Sequence, residues 1–481
     1  MDSLRRVVRN SSALMASNVL GKGISFLYVL LAARYLGTIG YGLLAFSLSL
    51  GYLFRLLVDL GFTPLIVKDV ARDNTRAVFY IRKIMQIKAY LFVISLVLLL
   101  LTMKSLGYSG GDALVVYMVF IFVVLQSFAD TGYAVLRALE EIHYVAYGEV
   151  LMSATILIGF AGIAYGGYGV SAFSAIYVVS GCIIVMYSFF MVKRILVEKS
   201  LWDISRAEGL SGFALMKESL PFALMAAFNL ILLYLDSVML GIFRTQSEVG
   251  IYGVAYRSAI ALSFIPLAVH ISMVPVISRL FGEGSDSVER NVGRLFRYNL
   301  ILSVPLGVGG TLFSWKIIPI VFGSQYSEAS LIFAVLIWSL VLSFMRFPFN
   351  TLFEATDRQF TLSRLFAYAA ALNIILNAAL IPPYGMVGAA IATVCTDLLL
   401  VLAVIYLGVK AGVCNPVNDL LIFVFKVVLS ATVMGFACLL SSSNGTVFSI
   451  ITGIVIYSVL IWATRSLDED DKVLLRKAAG L

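Results

Sequence analysis

Charge is scarce in this chain, histidine and cysteine are scarcer, and long polar stretches are nearly absent. Of 481 residues only 13% are Asp, Glu, Lys or Arg, about half the share of a soluble globular domain. That deficit, with 61% hydrophobic residues and a mean hydropathy of +0.98, excludes a soluble fold, because only lipid demands apolar side chains along whole segments. The two histidines, His143 and His270, are too few for a histidine-based metal centre. The four cysteines, Cys182, Cys395, Cys414 and Cys438, stand apart, with no CxxC pair and no histidine beside them. Neither a metal site nor a disulfide framework is expected. No phosphate-cradling GxxxxGK[ST] sequence occurs, and no loop exceeds about 25 residues. ATP hydrolysis within this chain is thereby excluded, no cofactor is expected, and the driving force must be an ion gradient, the membrane potential or a substrate gradient. No cleavage site follows a short apolar region near the basic N-terminus, so the first helix reads as retained.

What is abundant is apolar helix. A span needs about 20 mainly apolar residues, and the chain offers such runs at 13–34, 41–63, 84–103, 113–136, 144–165, 168–192 and 214–240. Others lie at 250–276, 295–320, 328–353, 361–381, 386–408, 419–440 and 446–464. The expected fold is an all-α integral membrane protein of about fourteen transmembrane helices. With both termini in the cytoplasm, 25 of the 35 Lys and Arg fall in cytoplasmic segments, four (Arg34, Lys104, Arg244 and Lys316) lie outside and six lie within spans. A miscounted helix would scramble that asymmetry, since cytoplasmic loops are the ones enriched in Lys and Arg. The net charge of +8 follows from the same bias and calls for no nucleic acid.

An internal repeat organises these spans. Tyr41-Gly42 and Pro64 recur as Tyr252-Gly253 and Pro275 at an offset of 211, and Tyr168-Gly169 recurs as Tyr384-Gly385 at an offset of 216. Two six-helix units result, residues 1–200 and 201–409, with a polar linker at 193–212, and 410–481 adds two further helices and a cytoplasmic tail. Six is even, so the units share one orientation, the parallel repeat of transporters that rock two halves about a central site.

Ionisable groups inside spans are costly and therefore mark function by default. Lys22 in the first span, Arg55 in the second and Arg257 in the eighth are the most central cations. They could line a cavity between the halves and hold an anionic group, arginine being suited to bidentate phosphate contacts. The competing reading is local neutralisation, because Arg55 and Asp59 stand four apart on one helix face. Asp236, Glu149, Glu354 and Asp397 are intramembrane acids that could bind a proton or cation for coupling, or serve as internal partners of arginines. Asn18, Asn229, Asn373 and Asn377 lie in apolar helices, where amides usually bind helices to one another.

Several stretches resemble the Wzx-type polysaccharide flippases of the multidrug/oligosaccharidyl-lipid/polysaccharide (MOP) exporter superfamily. They are Ala33-Arg34-Tyr35-Leu36-Gly37 with Gly40-Tyr41-Gly42, Asp59-Leu60-Gly61-Phe62 with Val70-Ala71-Arg72, and Pro221-Phe222. Leu235 to Gly241, Gly250 to Ala255, Asn373 to Asn377, and Tyr384-Gly385 with Gly388-Ala389-Ala390 continue the likeness. It implies a V-shaped pair of six-helix lobes around a central cavity, alternating access, and a polyprenyl-pyrophosphate-linked oligosaccharide as substrate. It also implies membrane lipids as surroundings, a glycan polymerase or other assembly-pathway proteins as partners, and the cytoplasmic membrane as location. Related lipid-precursor flippases carry essential cations in helices 1, 2 and 8, the helices of Lys22, Arg55 and Arg257. Two readings compete: an ion-coupled multidrug or organic-cation exporter of the same superfamily, and a membrane glycan polymerase or ligase. The latter usually presents a large catalytic outer loop, which this chain lacks.

Overall fold

The computed structural model describes residues 2–202, 211–263, 285–356, 358–410 and 417–464, without the side chains of residues 2–20, 22, 285–290, 417–421 and 444. Residues 203–210 of the expected linker, the second half of the eighth span with Pro275, and the C-terminal tail lie outside the described residues.

Every long element is an α-helix: α1 Asp2–Asp59, α2 Phe62–Arg72, α3 Ala77–Ser105, α4 Gly110–Ala138, α5 Ile142–Tyr165, α6 Val170–Glu198 and α7 Gly212–Phe243. They continue as α8 Gln246–Ala261, α9 Ser285–Phe322, α10 Ala329–Ala355, α11 Gln359–Lys410, α12 Val417–Leu440 and α13 Thr446–Ala463. Among the described residues, eleven helices are long and apolar enough to cross a membrane. The all-α membrane class expected from composition is what the chain folds into.

Two of the helices are too long for one crossing. The 52 residues of α11 would extend about 78 Å, against a hydrocarbon core of about 30 Å. Each long run is interrupted once, at Gly37 (φ 70°) in α1 and at Gly385 (φ 56°) in α11. These backbone angles suit glycine alone, and they fall where the sequence separates the first span from the second and the eleventh from the twelfth.

The chain between the second and third spans carries a helix that the long apolar runs do not contain. It turns at Leu60 and Gly61, both at positive φ, and forms the short amphipathic helix α2. Its Phe62, Leu65, Ile66 and Val70 are buried in a core shared with α3, α4, α6 and Leu215 of α7. Its charged Lys68, Asp69 and Arg72 kept the mean hydropathy low, while helical spacing gathered the apolar residues on one face.

The described chain divides into two units, one comprising Met1–Val254 with Ala370–Ala389, the other Ala255–Ala369 with Ala390–Leu481. In the first, α4 is the central element, with buried residues from Ala113 to Ala138. Here the start of α1's second half crosses the start of α8 almost backbone to backbone. A side chain at Gly42 would run into the Gln246 carbonyl, and one at Gly250 into the Thr38 carbonyl. Thr38 and Ser247 share a hydrogen bond of 2.9 Å at this crossing. In the second unit, α12 and α13 pack on α9 through Phe423, Val427, Met434, Tyr457 and Ile461. Arg297, which crowds the start of the ninth span, lies over the Phe423 ring at 5.4 Å, so a cation–π contact accommodates its charge.

Candidate functional site

The first unit has a partly open cavity of about 260 Å³ between α1, α4, α5 and α6. Ser25, Tyr52 and Arg55 reach it from α1, Gln126, Asp130 and Tyr133 from α4, and Glu149 and Ser153 from α5. The helices α5 and α6 keep apolar side chains such as Ile158, Met186 and Phe190 exposed on their outer faces, and the polar side chains meet one another inside. Arg55 donates to Asp130 Oδ2 in an ion pair. The Tyr52 hydroxyl donates to Gln126 Oε1 at 3.1 Å, and Ser25 and Ser153 share a bond of 3.1 Å.

Arg55 and Asp59 do not neutralise each other by a direct bond. Asp59 Oδ1 instead accepts from Lys88 Nζ at 2.6 Å and from Ser127 Oγ at 3.0 Å. Lys88 is wholly buried, and its ammonium also donates to the Ser127 carbonyl at 2.7 Å. The charge of Lys88 on α3 is thus matched by Asp59 at the end of α1 and by backbone. A buried charge persists only with such partners.

A second polar cluster surrounds Asp236. Asn377 Nδ2 donates to Asp236 Oδ1 at 2.6 Å and to Asn373 Oδ1 at 3.0 Å. The Tyr252 hydroxyl donates to Asp236 Oδ2 at 2.7 Å. Asp236, Asn373 and Asn377 are at most 3% exposed, and Asn377 Oδ1 has no hydrogen-bond partner among the described residues. Among the described residues no three His, Cys, Asp or Glu side chains gather as a metal site.

The remaining expected residues are dispersed. Asp397 accepts from Arg346 Nη1 at 3.3 Å and from Ser339, an internal ion pair of the second unit, with the Arg346 guanidinium over the Phe366 ring. Glu354 is exposed at the end of α10. Arg257 is half-buried in the second unit. Lys22 follows the cavity-lining Gly21 on α1, and its side chain lies outside the described residues. The structure therefore brings Arg55 and Glu149 to one cavity and puts Asp236 in a separate cluster. Asp130 escaped the sequence reading, although an acid in the middle of an apolar run is itself a signal.

The described fold is that of a polytopic helical membrane protein with buried charge clusters, and its profile matches place it among the transporters of the MOP superfamily. The fold is shared with the lipid II flippase MurJ in its inward closed conformation, at a TM-score of 0.74 and 16% identity, covering 93% of this chain and 97% of that one. A MATE transporter in complex with MaD3S aligns at 0.57 and 15% identity, covering 84% and 95%. The chain belongs to the polysaccharide biosynthesis protein family, whose profile matches residues 7–281, and a MatE profile matches residues 221–379. Among sequence relatives, the probable low-salt glycan biosynthesis flippase Agl15 of Haloferax volcanii is 26% identical over 391 residues, 80% of each chain. The probable flippase AglR of the same organism is 32% identical over 167 residues, 33% of this chain and 34% of that one.

Proposed function

We propose that this protein flips a polyprenyl-pyrophosphate-linked oligosaccharide from the cytoplasmic to the outer leaflet by alternating access, as a non-catalytic transporter for cell-surface glycan assembly. The observation that carries this reading is the guanidinium of Arg55 on the wall of a cavity inside a membrane-spanning unit. An anionic lipid headgroup must shed water to leave the surface, and that step is costly unless fixed cations replace the lost hydration. Lys22, Arg55 and Arg257 are the residues assigned to the diphosphate, coming from both halves of the sequence repeat. The halves, 1–200 and 201–409, would rock about it, with 410–481 accessory. Asp236 is assigned to ion coupling, with Glu149, Glu354 and Asp397 as the other acids available. Both termini are assigned to the cytoplasm on the distribution of Lys and Arg, with the cytoplasmic membrane as location and a glycan polymerase as the partner such a pathway offers.

A second reading is favoured by the carboxylates of Asp130 and Glu149 in that cavity and by the MatE match, namely export of an organic cation. Depletion of the protein followed by lipid extraction separates the two. Flipping predicts that lipid-linked oligosaccharide accumulates on the cytoplasmic leaflet. Unchanged lipid-linked glycan together with retained organic cations would replace the flippase reading with the second.

A further inference from the structure

Asp59 stands one helical turn after Arg55, a spacing at which an acid and a guanidinium can pair, yet the fold gives each a different partner. Asp59 is committed to Lys88 and Ser127, a set in which the ammonium is 0% exposed and makes three hydrogen bonds. Arg55 is left to cross to Asp130 on α4, and this second pair faces the cavity with side-chain exposures of 18% and 28%. One turn further along α4, Tyr133 lines the same cavity. It is 4% exposed, and its hydroxyl has no hydrogen-bond partner among the described residues. The hydroxyl sits over Gly148, where any side chain would run into it. Tyr133 thus brings an unmet donor to the cavity on whose wall Arg55 is already engaged by an oxyanion, and an additional oxyanion could use both.

We propose that Asp130 is an internal stand-in for the substrate's phosphate, holding Arg55 while the cavity is empty and giving it up when a diphosphate arrives, with the Tyr133 hydroxyl as the second donor. The proposal rests on the reading that the cavity receives an anionic headgroup. Its physical basis is that an arginine stripped of anion and water inside a membrane protein is strongly disfavoured. Carboxylate and phosphate both fit the guanidinium fork. Exchanging one for the other keeps Arg55 compensated through loading and release. A neutral or cationic ligand cannot make that exchange, so Asp130 also filters what the site accepts.

The test uses the full-length protein in detergent micelles, titrated by calorimetry with farnesyl diphosphate, farnesol and inorganic pyrophosphate. If Asp130 occupies Arg55 about nine-tenths of the time, Asp130→Asn should bind farnesyl diphosphate about tenfold more tightly than the native protein. The charge-neutral double variant Arg55→Gln/Asp130→Asn should bind it no better than farnesol. A gain shared by pyrophosphate supports the exchange for any diphosphate, and a gain confined to farnesyl diphosphate supports it for the lipid headgroup. Equal or weaker diphosphate binding by Asp130→Asn, with binding by the native protein intact, overturns the exchange and leaves the anion-binding reading standing. No diphosphate binding by either protein overturns both. Should Asp130→Asn fail to fold, carbodiimide labelling of the native protein decides. Farnesyl diphosphate should raise modification of Asp130, and unchanged or reduced modification overturns the proposal.

Discussion

Replacing Lys88 with methionine isolates the buried network that fixes α1 against α3 and α4. Methionine keeps the length and most of the volume of the lysine stem, so packing is nearly preserved and the loss is electrostatic. Three bonds disappear: to Asp59 Oδ1 at 2.6 Å, to the Ser127 carbonyl at 2.7 Å and to Ser127 Oγ at 3.0 Å. Asp59, 19% exposed, is left charged without its ammonium, and breaking one side of such a pair costs about 3–5 kcal/mol. Lys88→Met/Asp59→Leu removes both charges and should recover more than half of that loss, the Ser127 groups keeping recovery short of complete. Arg76→Met serves as the control. Its pair with Asp73 is 48% and 40% exposed, and such pairs contribute about 0–1 kcal/mol. Unfolding in graded SDS–dodecylmaltoside mixtures, followed by tryptophan fluorescence, measures all three variants. A Lys88→Met protein within about 1 kcal/mol of the native one, or a double variant as unstable as the single, refutes the reasoning.

Two further outcomes are expected. Gly42→Val places a branched side chain against the Gln246 backbone, where no side-chain rotation can relieve the clash. It should lower stability by about 1–3 kcal/mol or more in the same assay, whereas Gly162→Val, with open space around it, should not. Single cysteines in the Gly107–Gly111 and Ser441–Gly445 loops should react with an impermeant maleimide from outside the cell, and one at Arg72 should not. Labelling of either loop only from the cytoplasmic side would overturn the assigned orientation.

The sequence disclosed the membrane class, the positions of most helices and the short gaps, 35–40 and 382–385, in which the breaks at Gly37 and Gly385 fall, because long apolar runs are local properties. Asn373 and Asn377 were legible for the same reason. Read as amides that bind helices to one another, they do so through Asn377, which donates to Asp236 of α7. The choice of partners was not legible. Helical spacing pointed Arg55 at Asp59, but Asp59 is taken by a lysine 29 residues away, and Arg55 reaches an acid 75 residues away. Such competition is decided by which helices pack together, and periodicity says nothing about that. Tyr252 was read as a repeat marker, and nothing around it in the sequence shows that its hydroxyl meets Asp236. The helix α2 was hidden by its own charges, which a hydropathy window averages against its buried face.

The most direct test of the central claim is reconstitution of the purified protein into liposomes carrying a short-chain polyprenyl-diphosphate oligosaccharide in both leaflets. An impermeant glycosidase added outside would digest only the outward-facing half in protein-free vesicles. The account predicts that the protein renders nearly all of the glycan digestible, and that Arg55→Gln and Arg257→Ala proteins, inserted to the same level, leave the inner half protected. Protection of the inner half with the native protein, or full digestion with both variants, would contradict it.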